Sequence, residues 1–144
     1  MSYSVDVNIL LYASAAKSPH HARASEFLAG CAAKPDAFYL SWTTLFGYLR
    51  MVTHASIVSP PLSQRRAEAN VEALLALRHV RPITEGDDFW DLYEQSTKGL
   101  SVKNKLVPDA HLATVLRQHG VKTLYTNDMD FLKFSFLRVE NPLA

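Results

Sequence analysis

Three aspartates, Asp6, Asp109 and Asp128, each stand where an apolar run gives way to a turn or a helix start. Asp6 follows Tyr3-Ser4-Val5, Asp109 follows Leu106-Val107-Pro108, and Asp128 closes Thr123-Leu124-Tyr125-Thr126-Asn127. In a parallel α/β sheet ligands bind beyond the carboxyl ends of the strands, so acids at those ends share one crevice. Two unit charges about 4 Å apart repel by on the order of 4 kcal/mol at an effective dielectric near 20. Acids that converge in this way imply a bound cation or a shared proton. Each also has a plain structural reading. Asp6 can cap a helix starting at Val7, Asp109 can complement a helix dipole, and Asp128 with Asp130 can form a turn. Capping accepts Ser, Thr or Asn about as well as Asp, so the choice of Asp at all three places favours a cation.

The elements that position these acids alternate in period. Strand-like runs are expected at Tyr3–Val7, Phe38–Trp42, Val80–Ile83, Thr123–Thr126 and Leu137–Val139. Between them, helical spacing covers Ile9–Tyr12, Pro19 to about Ala33 and a stretch through His54 capped by Thr43 or Thr44. Further helices are expected over Leu62–Leu77, from Thr84 to near Gly99, and over Pro108–His119. Pro108 near the start of the last helix and Gly120 just past its end fit the usual asymmetry of helix termini. Strands and helices alternating through short connections predict an α/β domain with a parallel sheet and right-handed crossovers.

Composition narrows the function classes. At 144 residues, with 48% hydrophobic and 20% charged residues, the chain suits one domain, residues 1–144, with a packed core. A formal net charge of +1 argues against gripping duplex nucleic acid by overall field, while a local basic rim at Lys103, Lys105 and Lys133 remains compatible. Cys31 is the only cysteine, which excludes an intrachain disulfide and reads as a small core hydrophobe. The N-terminus lacks a signal-peptide pattern and no apolar run approaches 18 residues, so a cytoplasmic protein without membrane association is expected. The six histidines show no zinc spacing, and Trp42 and Trp90 are expected in the core because each lies inside an apolar period.

The segments Val5-Asp6-Val7-Asn8-Ile9-Leu10-Leu11-Tyr12-Ala13, Leu106 to Ala113 (LVPDAHLA) and Leu124 to Phe131 (LYTNDMDF) resemble, in order and spacing, the motif set of PIN-domain ribonucleases. They are most like those of the VapC toxins of bacterial toxin–antitoxin pairs. The resemblance implies a doubly wound α/β/α sandwich with a mainly parallel sheet of about five strands and a Mg²⁺ or Mn²⁺ site of acids. It also implies cleavage of RNA, a VapB-like antitoxin partner that plugs the site, and a homodimer. By this likeness Asp6 and Asp109 bind the metal directly, Asp128 binds it directly or through a water, and Asp130 is an outer partner. Asn8, Arg50, Thr126 and Asn127 are candidates for contacting the substrate or orienting the acids.

One family acid is missing. The second motif usually carries a Glu on the helix after the second strand, and in Leu45-Phe46-Gly47-Tyr48-Leu49-Arg50 that position falls on Gly47. A two-metal displacement needs enough oxygens to hold two ions about 3.5–4 Å apart, so Gly47 points to a reduced site. The rival reading is a weakened PIN domain that binds RNA or antitoxin without efficient cleavage. A haloacid-dehalogenase-type phosphatase would need a second acid where Asn8 stands, and a receiver domain would need paired acids after the first strand.

Overall fold

The computed structural model describes residues 1–144. Five strands, β1 (Tyr3–Val5), β2 (Phe38–Ser41), β3 (Val80–Ile83), β4 (Thr123–Tyr125) and β5 (Arg138–Glu140), form one sheet in the order β3-β2-β1-β4-β5. Every pairing is parallel. The six α-helices are α1 (Val7–Ser14), α2 (His21–Ala33), α3 (Trp42–Val52), α4 (Gln64–Leu75), α5 (Phe89–Thr97) and α6 (Leu106–Gln118); a 3₁₀ helix covers Met129–Lys133.

Alternation along the strands sends side chains into two cores. Tyr3, Val5, Phe38 and Leu40 pack with Ile9, Ala24, Leu45, Val52 and Val71 of α1 to α4. Ile83 and Leu124 pack on the other face with Ala113, Val115 and Leu116 of α6, and with Phe131 and Phe134. A parallel sheet covered by helices on both faces is the doubly wound arrangement. From β1 the chain steps outward to β2 and β3, then returns past β1 to β4 and β5. The order therefore reverses between β1 and β4, which is where such sheets open a crevice at their carboxyl ends.

Several boundaries differ from the periodicity. The third helix is capped by Ser41, whose hydroxyl accepts from the Thr43 amide at 3.3 Å, so Trp42 is already helical. The fifth helix starts at Phe89, not Thr84. Asp88 is left-handed at φ 60°, and Gln118 holds the preceding loop by accepting from the Gly86 amide at 2.7 Å and donating to the Asp87 carbonyl at 2.8 Å. The sixth helix begins at Leu106, two residues before Pro108, which its first turn tolerates because the amides there have no intrahelical partner. Asp109 thus approaches the carboxyl ends of β1 and β4 from a helix rather than from a strand end.

The tryptophans depart furthest from expectation. Trp42 is 39% and Trp90 66% exposed. On α3 the buried face is Leu45, Tyr48 and Val52, and Trp42 shares an outer face with the exposed Phe46. On α5, Phe89 and Tyr93 pack toward the core while Trp90 points outward and stacks on Tyr93. Cys31 is buried as expected.

Leu40 lies fully buried on β2. Leu40→Ala should lower unfolding free energy by about 2–5 kcal/mol. Urea denaturation with an unchanged m-value would report this, and a loss below 1 kcal/mol would contradict the packing described.

Candidate active site

Thr126 organises the corner where β1 and β4 end. The residue is fully buried, and its hydroxyl donates to Asp6 Oδ2 at 2.8 Å. The same oxygen accepts from the Asp128 amide at 2.9 Å and from Asn8 Nδ2 at 3.4 Å. A hydroxyl has one proton and two lone pairs, so its capacity is fully used. One side chain thereby fixes three segments: the turn after β1, the first turn of α1, and the loop after β4.

Asp6 is the N-cap of α1, its Oδ1 accepting from the Val7 amide at 2.7 Å. The capping role and the site role coexist, because the carboxylate points its second oxygen to Thr126. Burial raises the Asp6 pKa above the ordinary carboxylate range, hydrogen bonds from Thr126 and Val7 pull it back, and the charge of Asp128 raises it again. Asp128 caps the 3₁₀ helix, with Oδ1 accepting from the Asp130 amide at 3.0 Å.

Asp109 arrives from the first turn of α6. Its pKa is pushed up to about 6, first by burial and then by the charges of Asp128 and Asp6, with Lys105 opposing. Asp109 Oδ2 is buried and accepts no hydrogen bond, and Asn8 Oδ1 is in the same condition. Buried acceptors of this kind cost about 1–3 kcal/mol each unless a donor or cation meets them. Asp109, Asp128 and Asp130 each bring a carboxylate oxygen within 4.8 Å of the others. Three acids at this separation, one with an orphaned buried oxygen, suit a hard divalent cation that takes oxygen ligands.

The structure ranks the expected residues differently in one respect. Asp130, expected as an outer partner, belongs to the close group, while both Asp6 oxygens are engaged by the fold. Asp130 is also paired, at 3.2 Å with Lys105 and 3.9 Å with Lys133. Of the basic rim, these two lysines therefore meet the acids, and Asp130 stands first among the groups that raise the Lys105 pKa. Asn127 is occupied elsewhere, donating to Tyr12 Oη at 3.4 Å and accepting from Asn141 Nδ2 at 3.0 Å, which ties the C-terminal segment to α1. Arg50 is exposed on α3 and makes no ion pair within the chain. His111 pairs with Glu85 at 3.2 Å, and three other histidines bond backbone carbonyls.

Gly47 faces the start of α1. A β-carbon there would meet only Val7 Cγ2, at 3.9 Å, an ordinary contact. No close approach requires glycine at this position, since a β-carbon fits without displacing a neighbour. The pairing of Asp130 with Lys105, 25 positions apart, was not foreseeable from local sequence.

The PIN domain family profile matches residues 3–137. Over its full length the chain is 36% identical to Ribonuclease VapC48 of Mycobacterium tuberculosis, covering 99% of that protein. It is 30% identical over 139 residues to VapC ribonuclease Mb2897 of Mycobacterium bovis, with 96% of this chain and 94% of the relative aligned. Among solved structures, VapBC2 from Rickettsia felis bound to a promoter DNA fragment superposes with a TM-score of 0.67 at 20% identity, covering 98% of both chains. VapC20 of M. tuberculosis, described as a sarcin-ricin loop cleaving toxin, superposes at 0.63 with 21% identity, covering 90% of this chain and 92% of that one. On the profile match across most of its length and on these relatives, this protein belongs to the PIN domain family.

Proposed function

We propose that the chain is a Mg²⁺- or Mn²⁺-dependent endoribonuclease toxin of a toxin–antitoxin pair. The observation that carries this reading is the buried, donorless Asp109 Oδ2 inside a group of three carboxylates at the sheet's switch point. The names of the relatives, VapC ribonucleases over almost their whole length, support the substrate class. Asp109 and Asp128 would hold the ion, with Asp6 and Asp130 completing the acidic wall. The ion, when bound, supplies an activated water and positive charge against the phosphate. Thr126 keeps Asp6 and the Asp128 loop in register, and the Asn8 carbonyl offers a free acceptor for a water at the edge of the site. A VapB-like antitoxin and a second copy of the chain are the protein partners of this reading. The structural neighbours VapBC2 and FitAB are each described as bound to a DNA fragment, in the case of VapBC2 one from their promoter.

RNA cleavage measured with Mg²⁺ or Mn²⁺ and with EDTA tests the assignment. Asp6→Asn and Asp109→Asn should each lose on the order of 100-fold or more in rate. Wild type that cuts no RNA with either ion, or variants that cut as well as wild type, would sink it.

Metal dependence has a second signature that needs no substrate. The Asp109 carboxyl, near 6 in the fold and near 4 in the unfolded chain, binds its proton more tightly when folded. Stability of the metal-free protein therefore falls as pH rises from about 4 to about 6, and the penalty is complete above that. Asp109→Asn removes it, so the metal-free variant should be more stable than wild type at pH 7.5, by on the order of 1 kcal/mol after solvent screening. Mg²⁺ should raise the wild-type Tm and move the variant little. Equal stability of the two proteins at pH 7.5 and at pH 4, with no response to Mg²⁺, would contradict this.

Gly47 offers a gain-of-function check. A β-carbon at this position meets Val7 at an ordinary distance, so the backbone tolerates a side chain facing the start of α1, and replacing a mid-helix glycine relieves about 0.5–1 kcal/mol. Gly47→Glu should fold and bind Mn²⁺ more tightly by calorimetry. A folded variant with unchanged affinity would mean that the position does not face the site.

A further inference from the structure

Helix α3 carries a strip that the acid chemistry does not use. Trp42, Phe46 and Arg50 recur every four residues along one side of it, and Trp42 and Phe46 are 39% and 63% exposed. Their ring centroids lie 6.3 Å apart with planes inclined by 49°. Arg50 follows one turn later, with no acid paired to it. Exposed aromatic surface of this size on a helix that otherwise buries Leu45, Tyr48 and Val52 is not explained by the core.

Topology places the strip beside the acids. β2 pairs in parallel with β1, Tyr3 opposite Phe38 and Ser4 opposite Tyr39, so Ser41 stands level with Asp6 and Trp42 comes next along the chain. Gly47, adjoining Phe46, faces Val7. On the other flank of the crevice, formed by α6 and the 3₁₀ helix, the exposed large apolar side chains are Val107, Met129 and Leu132, none of them aromatic, and the nearby cations Lys105 and Lys133 are paired with Asp130. The two sides thus differ in kind: aromatic rings and a guanidinium without an acidic partner on one, aliphatic and thioether side chains with acid-paired lysines on the other.

We propose that Trp42 and Phe46 form a stacking platform for unpaired bases next to the cleaved bond, with Arg50 holding a phosphate further along the same strand. Every base presents a π-face, so rings accept single-stranded RNA without demanding a sequence, and a guanidinium tracks the backbone. A duplex hides those faces, which makes the platform selective for single-stranded or splayed segments. This rests on the ribonuclease reading above and adds how substrate is held.

The test uses the full chain with Trp90→Phe, leaving Trp42 as the one tryptophan, together with Asp109→Asn to hold RNA uncut. Titrating a ten-nucleotide single-stranded RNA should quench Trp42 emission, while an abasic strand of equal length should bind with little quenching. Phe46→Ser, a change at an exposed position, should weaken binding about ten-fold. Arg50→Gln should reduce the slope of log affinity against log salt by about 0.7, the share of one phosphate contact on a single strand. In the otherwise native protein, Phe46→Ser should raise KM with kcat little changed. Silent Trp42 emission at saturating RNA, judged by anisotropy of a labelled strand, overturns the proposal. So does unchanged RNA affinity in Phe46→Ser accompanied by a smaller sedimenting species, which would assign the strip to a protein interface. Wild type that neither binds nor cuts RNA overturns the ribonuclease reading and the platform together, whereas cleavage with an indifferent strip overturns the platform alone.

Discussion

Four carboxylates brought to one crevice cannot all keep full charge without compensation, and the corner is arranged around that constraint. Each acid is answered differently. Asp6 is met by a hydroxyl and an amide, Asp128 by the amide of Asp130, and Asp130 by two lysines. Asp109 has an oxygen with no answer from the chain, and burial with the charges of Asp128 and Asp6 pushes its carboxyl up to about 6. Charges of one sign in a low-dielectric corner are tolerated only where something neutralises them, and the unanswered oxygen is where a cation has most to contribute.

The same constraint explains why the structural and chemical roles of these residues overlap. Asp6 starts α1, and Asp128 starts the 3₁₀ helix. Helix N-termini present unpaired amides, so an acid placed there is partly stabilised before any ion arrives. Thr126 then couples the two caps through one oxygen, so that moving either acid disturbs the other. Rigid placement of this kind is what a displacement at phosphorus requires, since little beyond positioning and electrostatics is asked of the protein.

Much of this was legible along the chain. The sheet, its parallel sense and the helix-covered faces follow from alternating apolar periods, and the motif order around Asp6, Asp109 and Asp128 identified the fold family's pattern. What local pattern missed was set by tertiary contact. Gln118 decides that residues 84–88 stay out of α5 by bonding Gly86 and Asp87 across 31 or 32 positions. Lys105 finds Asp130 only because the loop before α6 passes the end of β4. Trp42 sits in an apolar run, yet Ser41 caps the helix and so sets the phase that turns the indole outward. Periodicity reports that a face exists but does not tell a core face from one kept for a ligand.

That last ambiguity bears on how the proposed site, with no carboxylate from α3, would hold its substrate. Helix α3 carries no acidic residue, and beside Gly47 it presents the Phe46 ring and the Arg50 cation. Losing an acid lowers the negative charge that a phosphate must approach. Adding a guanidinium and stacking surface on the same side attracts the polyanion without a second ion. On the proposed reading, weaker metal holding and stronger strand holding would be opposite consequences of one helix's composition, and they would act on different quantities. In that reading the acids would govern how well the reacting phosphate is polarised, while the strip would govern how long an unpaired strand stays beside them.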